Sequence, residues 1–330
     1  MIDARRDRHD RASGWLAARS DDELAAMMAA APAGPVGVGG DSAVIDAGGV
    51  PVFAKRVPIT QRELDRPHST ADLYGLPAYC QYGIGGPGFG AWRELAANLV
   101  VTEGVLAGEA ASFPLLYHWR VLPGRAPIAD EHRDIDAAVA RLGGDAAVRT
   151  RLVELAAARS SLVLFGEYLP HDLAARLAED PVGQAERAEH QMFEVVGFLR
   201  RRELLHMDGH LGNLRADGER LYLTDFGLAT SPRFELSAAE RAFAVHHMEH
   251  DAGYAAMQLV NWLVTAVCGA PTSPAERNAF VRRCAGGGVP PGVPPHIAAI
   301  LARHAPAAAR MNDFYWQLFG GDVHARWSGL

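Results

Sequence analysis

Two stretches decide how this chain reads: His206-Met207-Asp208-Gly209-His210-Leu211-Gly212-Asn213 and, a short way downstream, Asp225-Phe226-Gly227. Asp208 and Asn213 lie five positions apart. A turn at Asp217-Gly218 between two short apolar runs then folds the chain back, so that Asp225 returns to the same end of the hairpin as Asn213. An aspartate beside a hydroxyl can take its proton, and an asparagine with a second aspartate supplies oxygen ligands to a hard cation such as Mg²⁺. Phosphoryl transfer needs these provisions: phosphates held and neutralised, and an acceptor hydroxyl aligned. Asp and Asn are also common in turns for purely local reasons. What sets this pattern apart is the second motif at its distance, behind an amphipathic helix and across a hairpin.

Working outward, Glu186–Arg202 predicts the helix that precedes the first motif, with Met192, Val195, Val196 and Leu199 on one face. Before it, residues 161–169 (SLVLFGEYL) read as a strand stopped by Pro170. Residues 36–57 alternate around Gly48-Gly49 as a hairpin, 91–106 show helical periodicity, 113–122 read as a strand, and one helix is expected over 130–158. Residues 60–90 carry little periodicity and five glycines after position 82, which suggests an ordered insertion or lid. Beyond the motifs, 254–268 is apolar nearly all round and predicts a helix buried at the centre of its lobe; 286–295 is a Pro/Gly linker. A final helix carries Phe314, Tyr315, Trp316 and Phe319. At the start, Ser20 and Glu23 form a capping box for a leader helix. The organisation expected is α+β and bilobal: a helical leader over 1–34, a strand-rich lobe over 35–169 and a helical lobe over 170–330, with a cleft between the lobes.

Composition narrows the partners. The 330 residues carry a net charge of −7 with no concentrated basic tract, which argues against nucleic acid. Apolar content is 49% and charged content 22%, yet no uninterrupted apolar run is long enough to span a membrane. The charged opening MIDARRDRHDRAS lacks the apolar core of a secretory signal, and three scattered cysteines imply reduced thiols. Together these suggest a cytoplasmic protein. The run His246-His247 with His250 lacks the acidic or cysteine partners of a metal site.

The quoted motifs resemble those of the protein-kinase-like superfamily, including its aminoglycoside phosphotransferase branch. The resemblance implies a bilobal kinase-like fold, Asp208 as catalytic base, Asn213 and Asp225 as magnesium ligands, His206 as a packing residue, and ATP as phosphate donor. It also predicts a glycine-rich loop, for which Gly37-Val38-Gly39-Gly40-Asp41-Ser42-Ala43-Val44 is the counterpart. Ser42 stands in the last glycine place, and Lys55 follows on the next strand. Phe53 occupies a place usually given to alanine. The lysine is expected to pair with a helical glutamate: Glu94 first, then Glu103, then Glu63. In the strand before Pro170, Glu167 and Leu169 would supply backbone contacts to adenine, with Gly166 in the gatekeeper place. Asp251 is similar to the aspartate that holds the catalytic loop's backbone.

Three functional classes stay open at this level. His210 and Gly212 match the aminoglycoside-type loop and favour a small-molecule hydroxyl as acceptor, whereas Asp225-Phe226-Gly227 is the form found in protein kinases. Met207 replaces the arginine of phosphorylation-switched kinases and no APE motif follows, so a Ser/Thr protein kinase of this kind would lack an activation-loop switch. A nucleotide-binding pseudokinase or scaffold is the third class. The intact set Lys55, Asp208, Asn213 and Asp225 weighs against it.

Overall fold

The computed structural model describes residues 2–37, 40–218 and 220–329. Val38 and Gly39 of the expected glycine-rich loop lie outside the described residues. Among those described, the chain is α+β, with thirteen α-helices and two antiparallel sheets. The strands are β1 Ala33–Gly37, β2 Gly40–Asp46, β3 Pro51–Ile59, β4 Leu116–Pro123, β5 Ser160–Glu167, β6 His171–Asp172, β7 Leu214–Asp217 and β8 Arg220–Leu223. The helices are α1 Ile2–Ala17, α2 Asp21–Ala30, α3 Gln61–Leu64, α4 Ala91–Leu106, α5 Asp130–Arg133, α6 Ile135–Arg141, α7 Ala146–Ala157, α8 Leu173–Glu179, α9 Ala185–Arg201, α10 Ala238–His246, α11 His250–Ala266, α12 Pro274–Ala285 and α13 Pro295–Phe319.

Two compact units divide the chain. One runs up to Leu169 and takes in Asp225–Arg241; the other comprises Pro170–Thr224 and Ala242 onward. In the first, five strands form a sheet of order β1-β2-β3-β5-β4. The β2–β3 turn closes through Asp46, whose carboxylate accepts the Gly49 amide at 2.9 Å. Gly40 has φ 125°, and a Cβ there would lie 1.9 Å from the carbonyl oxygen of Arg56, so only glycine fits against β3. Alternation on β3 and β5 turns Val57, Ile59, Leu162 and Leu164 toward Ala91, Trp92 and Leu95 of α4, and this cluster is the core of the unit. Burying each large aliphatic side chain there contributes about 1.5–3 kcal/mol.

The leader joins this unit. The capping box at Ser20 and Glu23 starts α2, and Ala12, Leu16, Leu24 and Met28 are buried. The single helix expected over 130–158 is instead three, α5 to α7. Gly143 and Gly144 adopt φ 79° and 77°, and Asp145 caps α7 by accepting from Ala147 and Val148. Left-handed backbone ends a right-handed helix whatever the flanking apolar pattern.

In the second unit, β6, β7 and β8 form a three-stranded sheet, with α8 and α9 beside it. Helix α11 runs through the helical part and buries residues all round its circumference, among them Leu259, Val260, Leu263 and Val264. It packs along α13, which continues through Pro306 despite the lost amide donor. No helix among the described residues is long and apolar enough to cross a membrane.

Candidate active site

The predicted residues fall into two groups, one in each unit. In the first unit, Ser42 pairs with Lys55 and Val44 with Phe53 across β2 and β3, so all four share one face of the sheet. Phe53 is opposite Gly166 on the other side, and Lys55 opposite Leu164. Of the glycine-rich stretch, Gly37 and Gly40 are register partners at the β1–β2 connection.

Lys55 is the centre of this group. Its ammonium donates to Glu94 Oε1 at 2.7 Å and to Asp225 Oδ1 at 2.8 Å. Burial alone would lower the pKa of Lys55, but the two carboxylates outweigh it and hold the ammonium well above its usual range. Glu94 is pushed upward by burial and by Asp225, with Lys55 opposing both. The triad therefore holds one cation between two carboxylates.

Glu94 owes its position to the insertion between residues 60 and 90. Glu63 is buried at the head of α3, where its carboxylate accepts from the Thr60 amide and from the Ala91 amide at the start of α4. Its backbone carbonyl accepts from Trp92 Nε1. Arg151 of α7 neutralises it at 2.7 Å and 3.1 Å, with both side chains almost fully buried. Glu63, third among the expected lysine partners, thus fixes the N-terminus of the helix that carries Glu94. Glu103 lies further along the same helix.

The insertion also binds the segment that begins with Asp225. Gln81 donates to the Leu228 carbonyl, Thr70 and Glu235 exchange hydrogen bonds, and Arg93 of α4 joins the two segments, donating to the Thr70 carbonyl and pairing with Glu240 at 2.5 Å. These contacts explain why residues 225–241, expected in the helical lobe, belong to the first unit. Phe226 is buried with its ring 6.2 Å from that of Phe113. Asp225 adopts φ 64°, a left-handed backbone that aspartate tolerates better than most residues.

At the end of β5, Glu167 is engaged through its side chain. Arg5 of α1 grips the carboxylate through Nε and Nη2, and also donates to the carbonyls of Ala111 and Phe113; Arg8 adds a contact at 3.1 Å. The Glu167 amide donates to the Leu115 carbonyl at 2.8 Å. Leu169 is buried at the end of the unit. Arg5 went unnoticed in the sequence. Its only local signal was a pair of arginines three apart in the charged opening of the expected helical leader.

The second group is the 206–213 loop. Asn213 Nδ2 donates to the Asp208 carbonyl at 2.9 Å and approaches Asp208 Oδ2 at 3.4 Å. Asn213 also accepts from the amide and hydroxyl of Thr224, so the hairpin β7–β8 holds it in place. His206 is buried. Its Nδ1 accepts from the Asp208 amide, so the proton sits on Nε2 and is donated to the Thr224 carbonyl at 3.0 Å. Met207 is fully buried with φ 67°, a strained conformation for an unbranched side chain without a local polar partner.

Asp251, in the first turn of α11, holds this strained loop. It accepts the His206 amide at 2.7 Å and the Met207 amide at 3.0 Å. Burial opposes its charge, yet the hydrogen bond from His250 and the field of nearby groups keep the carboxyl below the usual aspartate range. His210 Nε2 lies 3.9 Å from Asp208 Oδ2.

The donor chemistry fits magnesium: Asp225 offers a partly exposed carboxylate, and Asn213 offers an amide oxygen. Comparison with protein-family models and with curated proteins gave no match.

Proposed function

We propose that the protein is a bilobal, protein-kinase-like phosphotransferase that uses ATP and magnesium to phosphorylate a hydroxyl, that of a small molecule in preference to a protein. The observation that carries this reading is the triad Lys55, Glu94 and Asp225. One ammonium is held at 2.7 Å and 2.8 Å by two carboxylates distant from it in sequence, on the strand face that also bears Ser42 and Val44. Such an ammonium stays charged and can exchange Asp225 for phosphate oxygens while Glu94 keeps it in place.

In this reading Asp208 orients the acceptor hydroxyl and takes its proton as the oxygen attacks the terminal phosphorus, and ADP leaves. Asn213 and Asp225 are the magnesium ligands, and the ion when bound neutralises phosphate charge. Glycines 37 and 40 bring backbone amides to the phosphates, and the backbone of Glu167 and Leu169 meets the adenine. The burial of Met207 supports an enzyme without a phosphorylation switch, because no cation stands there to receive a phosphate. The same observation leaves room for an unswitched protein kinase, which the acceptor panel below separates.

Thermal melting with excess Mg-ATP should raise the midpoint; an unchanged midpoint would refute nucleotide binding. Asp208→Asn should abolish turnover while preserving Mg-ATP binding, and Asp225→Asn should weaken binding only when magnesium is present. ATP consumption with aminoglycosides and simple alcohols, set against phosphorylation of generic proteins read by mass, identifies the acceptor class. Clear ATP binding with no turnover on any acceptor would instead indicate a scaffold.

A further inference from the structure

Helices α11 and α13 meet at a polar group that the phosphotransfer reading does not use. His250 is fully buried at the start of α11. Its Nδ1 lies 3.4 Å from Asp251 Oδ1 and its Nε2 3.1 Å from the hydroxyl of Tyr315 on α13. Around the ring stand Tyr254, stacked at 5.6 Å, and Trp327, edge-on at 6.2 Å; His247 lies 6.1 Å away. Aromatic walls fix the ring plane, and Tyr315, itself 3% exposed, fixes its rotation.

A buried carboxylate that must accept two backbone amides has little tolerance for movement, since a lost partner leaves charge uncompensated. Asp251 spends one oxygen on the His206 amide and the other on the Met207 amide, and His250 adds its hydrogen bond to the oxygen that serves Met207. Met207 is the residue held at φ 67°, immediately before Asp208. A strained backbone persists only where its surroundings over-determine it.

We infer that His250, oriented by Tyr315, is a positioning residue that locks Asp251 and thereby the strained backbone that presents Asp208. Its consequence for catalysis rests on the phosphotransfer reading; the effect on the loop does not. The C-terminal helix α13 thus takes part in setting the 206–208 backbone.

Side-chain isosteres separate the two contacts. An asparagine at 250 puts its amide where Nδ1 stands and can keep the bond to Asp251. A glutamine puts its amide nearer the Nε2 position and serves Tyr315 instead. Amide hydrogen exchange at His206 and Met207 is the direct readout, compared with reference amides inside α9. His250→Leu and His250→Gln should speed exchange at these two amides by about tenfold or more, while His250→Asn should stay within a few-fold of wild type. Tyr315→Phe, which removes one hydroxyl, should give a smaller increase. If His250→Leu fails to fold, the Asn and Gln variants carry the comparison alone.

Unchanged exchange in His250→Gln, or equal exchange in the Asn and Gln variants, would overturn the inference. Where the wild type turns over, kcat should fall as exchange speeds up while KM for ATP stays fixed; a fall in kcat joined by a rise in KM would mean general loosening and would also overturn it. Exchange that follows the predicted order in a protein with no turnover on any acceptor would sustain the positioning role and refute the phosphotransfer reading.

Discussion

Replacing His247 with leucine should make the protein less sensitive to acid, and the size of the effect follows from the site. His247 is 4% exposed, stacked on Phe243 at 3.7 Å, and its Nδ1 donates to the Phe243 carbonyl at 2.7 Å. Burial, with the nearby His250 and His246 adding to it, depresses the pKa from 6.5 to about 4, against the opposing pull of the Phe243 carbonyl and Asp251. Because the folded value is the lower one, the unfolded chain binds more protons between the two values. Stability is therefore intact above the unfolded value and declines as the pH falls through it, levelling off below the folded one. Linkage gives a loss of about 2 kcal/mol on going from pH 7 to pH 5 for this residue alone. Urea unfolding of wild type and His247→Leu at both pH values tests it, since titrations common to the two proteins cancel in the difference. The variant should start about 1 kcal/mol weaker at pH 7, for want of the bond to Phe243, and close or reverse the gap at pH 5. An equal acid sensitivity in both proteins would refute the assignment of a buried neutral imidazole.

Three other perturbations test how the first unit is held together. Arg151→Met leaves the Glu63 carboxylate buried without its cation and should cost about 3–5 kcal/mol in chemical unfolding; a loss below 1 kcal/mol would mean that the Thr60 and Ala91 amides suffice. Arg5→Met should destabilise by a smaller amount, about 2–3 kcal/mol, because Arg8 still reaches Glu167. A thermal midpoint equal to wild type would show that α1 is not fastened to β5 through this pair. Gly40→Ala forces a methyl group onto the Arg56 carbonyl and should lower the melting temperature. An unaltered midpoint would argue against so close an approach.

Legibility of the fold tracked the range of the interactions. The boundaries of α4 and the helix of α9 followed from periodicity, and the hairpin β2–β3 from Gly48-Gly49, because neighbours along the chain suffice to define them. The candidate site was legible where the signal was a residue type at a fixed spacing: Asp208 with Asn213, and Lys55 on its strand. Glu94 emerged first of three choices, but spacing could not rank it above Glu103 or Glu63 on physical grounds. The ranking is set by Glu63 itself, which anchors α4 through the Ala91 amide and so turns Glu94 toward Lys55.

By itself, then, the sequence determined the strongly periodic segments, such as α4, α9 and the hairpin β2–β3, and the close spacing of Asp208 and Asn213, since these depend on local identity and period. The tertiary structure alone decided the charge pairings, Arg5 with Glu167, Glu63 with Arg151 and Arg93 with Glu240, and the buried hydrogen bond between His250 and Tyr315. It also assigned residues 225–241 to the first unit rather than the second. The physical reason is that any of 32 basic residues can in principle meet any of 39 acidic ones. Only burial, which penalises every unpaired charge, selects the few pairs that the folded chain keeps.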